Sequence, residues 1–293
     1  MTRLRSTLFT IAIAAIALVI NPERAHAQAN FAETVTFGDS LTHNDLLWLV
    51  SGTPREVYGD DPFQALFDRG RSSGDDLTSY AVAGSESDDL LTQIEVYDFA
   101  RLIRAQDRAT LLGIEIGGND ILNNLDALAS AAPGENPVAD AVIDNLIANL
   151  REAVTSLSAT HPNGQLVIWT VPDVTITAEL VGGLTANEID NIQAHTEVVN
   201  RRIRSLDRYR NVVVLDLFAL RDLALDPPVL RGQQLDPPPD YGDFDDIFAD
   251  EIHPTAVTNA LIANGMILGI NRKWRDDIPP YTEDELADLA RIP

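Results

Sequence analysis

Residues 35–42 read Val35-Thr36-Phe37-Gly38-Asp39-Ser40-Leu41-Thr42 and decide how the rest of the chain is interpreted. The β-branched and aromatic residues at the start of this stretch are typical of a buried strand, which breaks at Gly38. Ser40 therefore follows the C-terminal end of a first strand, where open α/β sheets bind their ligands. Taken alone, Gly-Asp-Ser is also typical of an ordinary strand-to-helix turn. Only the remainder of the sequence can separate these two interpretations.

Strand and helix patterns alternate along the chain, which predicts βαβ units and a parallel sheet in one doubly wound domain. Residues 48–67 are turn-rich and aromatic, and the segment Pro227–Asp246 is predicted to be a loop. The predicted strands are Thr34–Phe37, Leu77–Ala83, Thr110–Ile116, Leu166–Val171 and Asn211–Leu217. The predicted helices are Asp88–Gln106, Ala139–Leu157, Thr185–Arg208, Thr255–Ile270 and Glu283–Ala290, the last with a capping box formed by Thr282 and Glu285.

The composition excludes several classes of function. The chain has 293 residues, a formal net charge of −24 and no cysteine. Disulfides, thiolate metal sites and cysteine nucleophiles are therefore excluded. Such an acidic surface repels nucleic acid and anionic membranes, so neither is expected as a partner.

The N-terminus has the layout of a secretory signal peptide. Arg3 and Arg5 precede an uncharged run of 13 residues, Leu8–Ile20, and Ala25-His26-Ala27 predicts cleavage after Ala27. A membrane anchor is the alternative, but 13 residues fall short of the ~20 needed to span a bilayer. We expect a signal peptide at 1–27, a single domain at 28–293, no stable membrane anchor, and export to the periplasm or the medium. Residues 1–27 contain three arginines and one glutamate, so cleavage leaves a charge of −26.

Polar residues follow several predicted strands and could together carry acyl-transfer chemistry. A serine needs a base to remove its proton, and the base needs an acid that fixes its tautomer. Asp250 and His253 are three residues apart in one turn and can meet by local geometry. A tetrahedral intermediate also needs hydrogen-bond donors for its oxyanion. The N–H groups of Ser40 and Gly84 and the side-chain amide of Asn119 could supply three.

Each of these features also has a purely structural interpretation. Gly84 could be an ordinary turn glycine. Asn119 or Asp120 could be the N-cap of a helix, and the segment His253-Pro254-Thr255 is typical of a helix N-terminus. The occurrence of all of them in this order, at strand ends, favours the catalytic interpretation.

The ordered set resembles the GDSL, or SGNH-hydrolase, family of serine esterases and lipases. Its blocks here are Gly38-Asp39-Ser40-Leu41, Tyr80–Gly84, Gly117-Gly118-Asn119-Asp120 and Asp250–His253, which span residues 38–253. The resemblance implies a flavodoxin-like three-layer α/β/α sandwich with a mostly parallel five-stranded sheet, and ester hydrolysis without metal or cofactor. It also implies the roles of the site residues: Ser40 as nucleophile and oxyanion donor, Gly84 and Asn119 as oxyanion donors, His253 as base and Asp250 as its orienting partner.

The sequence departs from the family pattern after the first block, where Thr42-His43-Asn44-Asp45 replaces the common Ser-Asp-Thr-Gly-Asn. This departure means that the family pattern does not predict the conformation of the local loop. It also makes His43 a competing base, although no acid partner is evident by spacing. The α/β-hydrolase alternative requires the nucleophile in a Gly-x-Ser-x-Gly motif at a central strand, whereas Ser40 lies in Gly38-Asp39-Ser40-Leu41-Thr42 and comes too early in the chain.

The sequence leaves the substrate open. We expect short-acyl or small neutral esters, with a carbohydrate deacetylase, a lysophospholipase or a non-catalytic surface-binding protein on the same fold as alternatives. The oligomeric state stays open. Carboxylates are dense in 236–251, but the run does not match an EF-hand, so a solvated acidic loop is favoured and calcium binding is the alternative. Four aromatic residues could line an acyl pocket or belong to the core: Trp48, Tyr58, Phe63 and Phe67.

Overall fold

A computed structural model describes residues 28–43, 47–104 and 108–293. The predicted signal peptide at 1–27 lies outside these residues. Five strands form the central sheet: β1 (Glu33–Gly38), β2 (Asp76–Ser79), β3 (Leu111–Glu115), β4 (Gln165–Trp169) and β5 (Val212–Leu215). Their order is β2-β1-β3-β4-β5, and every pairing is parallel. The predicted parallel five-stranded sheet is confirmed.

Helices cover both faces of the sheet, which confirms the three-layer α/β/α architecture. One face packs against α4 (Ser87–Arg104), α7 (Pro137–Thr160) and α8 (Ala186–Arg204), and the other against α3 (Pro62–Gly70) and α10 (Ala256–Trp274). In β4, Leu166 and Ile168 belong to the first core, whereas Val167 and Trp169 belong to the second. Because both faces of β4 are buried, every residue after Gln165 in this strand is apolar.

The second strand ends four residues earlier than predicted. Beyond Ser79 the chain still follows β1, since Tyr80 N–H donates to Thr36 O and Val82 N–H donates to Gly38 O. It then turns between Val82 and Ser85. The β-like composition of residues 80–83 therefore reflects pairing at the end of the sheet.

The turn-rich stretch after the first strand contains three short helices: α1 (Leu47–Ser51), α2 (Arg55–Tyr58) and α3. Asp61 caps α3 through its side chain, which accepts hydrogen bonds from Phe63 N and Gln64 N. Pro62 at the first position suits a helix start. Pro54 and Gly59 flank α2, and Pro62 begins α3, so the Gly and Pro residues of this stretch lie at helix ends.

The predicted loop Pro227–Asp246 is partly wrong, since it contains short strands. They are β6 (Val229–Leu230), β7 (Gln233–Gln234), β8 (Asp236–Tyr241) and β9 (Asp246–Phe248). Strand β8 carries three prolines and is mostly exposed, as proline in strands requires an edge position. Because proline is rare in strands, the composition of this segment does not indicate a strand.

The remaining α-helices are all short. They are α5 (Gly118–Leu122), α6 (Leu125–Ser130), α9 (Asp222–Leu225) and α11 (Glu283–Leu289). The capping box of Thr282 and Glu285 at the start of α11 is confirmed. Among the residues that the structure describes, no helix combines the length and the apolar character needed to cross a membrane.

Candidate active site

Ser40 lies at the carboxyl end of β1, in a tight turn closed by a hydrogen bond from Thr42 N–H to Asp39 O of 3.2 Å. The turn depends on Gly38, whose φ is +148°. A Cβ atom at Gly38 would lie 1.9 Å from Glu115 O on the neighbouring strand. The glycine therefore lets β1 approach β3 closely at the point where the chain leaves the sheet.

His253 reaches Ser40 across 213 residues of sequence. Its Nε2 atom lies 2.8 Å from Ser40 Oγ, and its Nδ1 atom lies 2.8 Å from Asp250 Oδ2. The loop that carries both residues is closed by a hydrogen bond from Ala249 N–H to His253 O. Asp250 Oδ1 accepts hydrogen bonds from the N–H groups of Ile252 and His253. The structure thus brings together serine, histidine and aspartate in one hydrogen-bonded row.

Tyr58 adds a contact that the sequence analysis missed. Its buried phenol donates a hydrogen bond of 2.7 Å to Asp250 Oδ2. Burial alone would raise the pKa of Asp250, but the hydrogen bonds from His253 and Tyr58 and the charge of His253 outweigh it and lower that pKa to about 2. Burial raises the pKa of Tyr58 to about 12, so the phenol remains a donor. Asp250 is therefore held as a carboxylate.

Gly84 sits in a turn that faces the nucleophile loop. Ser85 N–H donates to Val82 O, and Gly84 has a φ of +83°. A positive φ at the third position of a turn favours glycine. Among the residues that the structure describes, neither Ser40 N–H nor Gly84 N–H has a hydrogen-bond acceptor. Both amides are thus available to a ligand.

Asn119, at the start of α5, is tied to the same turn. Its Nδ2 donates to Ser85 O at 2.9 Å and contacts Asp39 Oδ2 at 3.3 Å. Gly117, which precedes α5, has a φ of +113° that directs the chain sharply from β3 into the helix. The structure places Asn119 beside both Ser40 and the Gly84 turn.

Asp120 fixes the start of helix α4 next to this cluster. Its carboxylate accepts hydrogen bonds from Ser87 N at 2.9 Å and from Ser87 Oγ at 2.6 Å. Burial outweighs these bonds and raises the pKa of Asp120 to about 6. Because Asp120 follows Asn119 directly, it also fixes the backbone from which the Asn119 amide extends.

Two carboxyl groups are buried beneath the nucleophile turn. Asp39 is 2% exposed and Glu115 is 1% exposed, and their carboxyl groups lie next to each other. Burial raises the pKa of Asp39. Burial and then the charge of Asp39 raise the pKa of Glu115 well above its usual range. Neither residue was selected by the sequence analysis, although a glutamate inside the apolar run Leu111–Ile116 is a visible signal.

A cavity of about 110 Å³ opens beside Ser40 and Asn119. Its walls are mainly aliphatic and come from the segments after β4 and β5 and from β9 and α10. The apolar residues lining it include Leu41, Leu122, Val174, Ile176, Leu217, Leu223, Ala224, Ile247, Phe248, Ile252 and Ile262.

None of the four aromatic residues proposed for an acyl pocket lines this cavity. Phe63 and Phe67 pack in the core between the sheet and α3, Tyr58 is buried beneath the Asp250 loop, and Trp48 is 37% exposed. Phe63, Phe67 and Tyr58 therefore belong to the core and do not form an acyl pocket. His43 lines a different, polar cavity with Arg55 and Glu56, whereas His253 occupies the position beside Ser40 Oγ.

Three carboxylates of the acidic segment come together. Ligand oxygens of Asp236, Asp245 and Asp246 all lie within 4.8 Å of one another. Burial, together with the charges of its acidic neighbours, raises the pKa of Asp246 to about 6 against a hydrogen bond from Asp243 N–H. Oxygen ligands suit calcium, and calcium binding by this segment stays an untested alternative to a solvated acidic loop.

Known proteins resemble the chain in sequence profile and in fold. The GDSL-like Lipase/Acylhydrolase family matches residues 36–261. No curated protein matches the chain. A lipase from a goat rumen metagenome superposes with a TM-score of 0.54 at 13% identity, over 81% of this chain and 96% of its own. A GDSL-like lipase from Parabacteroides merdae gives 0.52 at 14% identity, over 84% and 98%.

The family match covers all the motif blocks around the cluster, from the nucleophile turn to the Asp250–His253 loop. The solved structures share the α/β fold with this chain across most of their length. The chain therefore belongs to the GDSL-like lipase/acylhydrolase family and is a carboxylic ester hydrolase.

Proposed function

We propose that the enzyme hydrolyses esters through an acyl-enzyme on Ser40, with His253 as general base and Asp250 as the partner that fixes the imidazole. The observation that carries this proposal is the 2.8 Å contact between Ser40 Oγ and His253 Nε2, together with the 2.8 Å contact between His253 Nδ1 and Asp250. A serine hydroxyl becomes an effective nucleophile only when such a base takes its proton.

In acylation, Ser40 Oγ bonds to the ester carbonyl carbon while His253 Nε2 takes the hydroxyl proton. The imidazolium formed is stabilised by the Asp250 carboxylate, which its low pKa keeps ionised. The intermediate then collapses, the bond to the alkoxy group breaks, and His253 returns the proton to the leaving alcohol. In deacylation, His253 takes a proton from a water molecule whose oxygen bonds to the acyl carbon. The bond between that carbon and Ser40 Oγ then breaks, His253 gives the proton to Ser40 Oγ, and the carboxylic acid leaves.

The oxyanion is held by the N–H groups of Ser40 and Gly84 and by Asn119 Nδ2. The support is that both backbone amides lack an acceptor among the described residues. Asn119 Nδ2 keeps its 2.9 Å bond to Ser85 O, and its second N–H, which makes the longer 3.3 Å contact with Asp39, is shared between Asp39 and the oxyanion. Loss of one oxyanion donor generally costs about 10²–10³ in kcat.

The aliphatic cavity beside Ser40 is the proposed acyl site. Its 110 Å³ equals the liquid volume of roughly four water molecules at about 30 Å³ each, which suits a short apolar acyl chain. The acidic charge of the chain disfavours strongly anionic substrates. We therefore propose short-acyl or otherwise small neutral esters as substrates, and an exported enzyme that loses residues 1–27.

A series of p-nitrophenyl esters of increasing acyl length tests this proposal, with Ser40→Ala as the control. We expect turnover of the shorter esters by the wild type and none by Ser40→Ala with unchanged circular dichroism. Activity that persists in the purified Ser40→Ala variant would overturn the assignment of the nucleophile. A preference for long-chain over short-chain esters would overturn the proposed substrate class.

A further inference from the structure

The buried pair of Asp39 and Glu115 has no part in the mechanism above. Glu115 is the last residue of β3 and pairs in register with Gly38 at the end of β1. Because Gly38 has no side chain, the Glu115 backbone lies against the turn that carries Ser40. The two carboxyl groups meet directly beneath that turn.

Two ionised carboxylates in contact within a protein interior repel each other, and neither can donate a hydrogen bond. The two Glu115 oxygens are buried, and although the backbone N–H of Asp39 approaches them, neither makes a hydrogen bond to a donor among the residues that the structure describes. A single proton shared by the pair changes this contact into a hydrogen bond. Acid pairs that share a site generally ionise in separate steps for this reason.

The surroundings decide which residue holds that proton. Asp39 Oδ1 accepts a hydrogen bond from Leu41 N–H at 3.0 Å, and Asp39 Oδ2 lies 3.3 Å from Asn119 Nδ2. Donors of this kind stabilise a carboxylate. Glu115 is approached by the backbone N–H of Asp39, but its oxygens form no comparable hydrogen bond among the described residues, so the proton resides on Glu115 and the negative charge on Asp39.

We propose that Glu115 is a positioning residue: as a neutral carboxylic acid it donates a hydrogen bond to the Asp39 carboxylate and so fixes the Ser40 turn and the Asn119 amide. Asp39 connects the two, since one of its oxygens binds the turn at Leu41 and the other contacts Asn119. The inference rests on the proposed function for the role of Asn119, but the protonation of Glu115 is independent of it.

The charges around Asp39 and Glu115 determine the pH at which Glu115 loses its proton. Asp39 and Glu115 face each other, and the positive charge of His253, when protonated, favours ionisation of Asp39. As pH rises and Glu115 loses its proton, two adjacent negative charges push Asp39 away from its two contacts. Activity should then decrease at alkaline pH because kcat falls, while KM changes little.

Glu115→Gln and Glu115→Leu separate a donor from a space-filling role. The glutamine amide can still donate to Asp39 and does not titrate, whereas leucine fills the space without a donor. We expect Glu115→Gln to retain kcat within a few-fold and to lose the alkaline decrease. We expect Glu115→Leu to lose kcat by about tenfold to a hundredfold, the effect of a displaced reacting group. Equal kcat in the two folded variants, or a wild-type pH profile in Glu115→Gln, would overturn the proposal.

Two further readouts do not need a substrate and keep the test valid if Glu115→Leu does not fold or if the proposed chemistry is wrong. The first is the infrared C=O stretch of a protonated carboxylic acid near neutral pH, present in the wild type and weaker in Glu115→Gln.

The second readout is thermal stability. A carboxyl whose pKa is raised on folding contributes stability at low pH that is lost as pH rises. The melting temperature of Glu115→Gln should therefore exceed that of the wild type increasingly from about pH 5 upward. A constant difference in melting temperature, together with an unchanged infrared band, would refute protonation of Glu115.

Discussion

Tyr58 donates a 2.7 Å hydrogen bond to Asp250 Oδ2, the same oxygen that lies 2.8 Å from His253 Nδ1. The phenol comes from α2, in the segment that follows the nucleophile turn, and its ring is almost fully buried. It ties that segment to the loop that carries the base. The carboxylate of Asp250 is thereby held from two sides.

Tyr58→Phe removes this donor without changing the ring. We expect kcat to fall about tenfold, since a hydrogen bond to a charged group contributes roughly 1.5–3 kcal/mol. The pKa of Asp250 lies at about 2 instead of its ordinary 3.8, so its stabilising effect is present above 3.8 and is lost as pH falls through about 2. Acid unfolding of Tyr58→Phe should therefore begin at a higher pH. Tyr241→Phe is the matched control, because the exposed Tyr241 makes only a 3.5 Å contact with Glu251. Identical kinetics for the two variants would contradict this role.

Asp120 makes the free energy of unfolding depend on pH in the opposite direction to Asp250. Its pKa is raised on folding from 3.8 to about 6, so its contribution is complete below 3.8 and is lost as pH rises through about 6. Asp120→Asn should remove the decrease in melting temperature over that interval. Asp120→Ala should destabilise by about 1–3 kcal/mol, because Ser87 N–H and Oγ at the start of α4 lose their acceptor. Thermal melts across pH measure both. The same pH slope in Asp120→Asn and the wild type would be inconsistent with a raised pKa.

Ala224 lines the proposed acyl site and offers a test of its boundary. Ala224→Phe should lower kcat/KM for butyrate and longer esters by about tenfold relative to acetate, since pocket contacts generally contribute about 1–3 kcal/mol per methylene. Leu225→Phe is the control, because Leu225 is the exposed next residue of helix α9. Competition between acyl lengths measures the preference. An unchanged preference in a folded Ala224→Phe enzyme would place the acyl chain elsewhere.

Gly38 and Gly84 should respond differently to alanine. The Cβ atom of Gly38→Ala would lie 1.9 Å from the Glu115 carbonyl oxygen, which is a severe clash. We therefore expect a loss of more than about 3 kcal/mol in the free energy of unfolding. At Gly84 a Cβ atom meets no other atom within 4 Å, and only the positive φ is unfavourable. Gly84→Ala should cost about 1–2 kcal/mol. Urea denaturation gives both values, and a larger cost at Gly84 would contradict the described packing of β1 against β3.

The sequence predicts those parts of the fold that depend on local patterns. The apolar run at Leu166–Val171 predicts a strand because both of its faces are buried. The spacing of Asp250 and His253 predicts their contact because three residues in a turn bring the side chains together. The position of Ser40 follows from the rule that parallel strands share one carboxyl edge.

Other parts of the site arise from contacts between distant segments. Tyr58 meets Asp250 across 192 residues, and nothing in its local sequence distinguishes it from a core tyrosine. The cavity is built from irregular segments after β4 and β5, which have no periodicity to read. Glu115 could have been selected, since a carboxylate in a buried strand requires a partner, but its partner Asp39 becomes evident only from the pairing of β1 with β3.

The acyl-enzyme on Ser40 is tested most directly by trapping it. The wild type is mixed with a p-nitrophenyl ester, quenched in acid within the first turnover, digested and analysed by mass spectrometry, with Ser40→Ala treated in parallel. We predict the mass of one acyl group on the peptide that contains Ser40 and no acylated peptide from Ser40→Ala. An acyl group on a different residue, or one that also forms in Ser40→Ala, would contradict the assignment of Ser40 as the nucleophile.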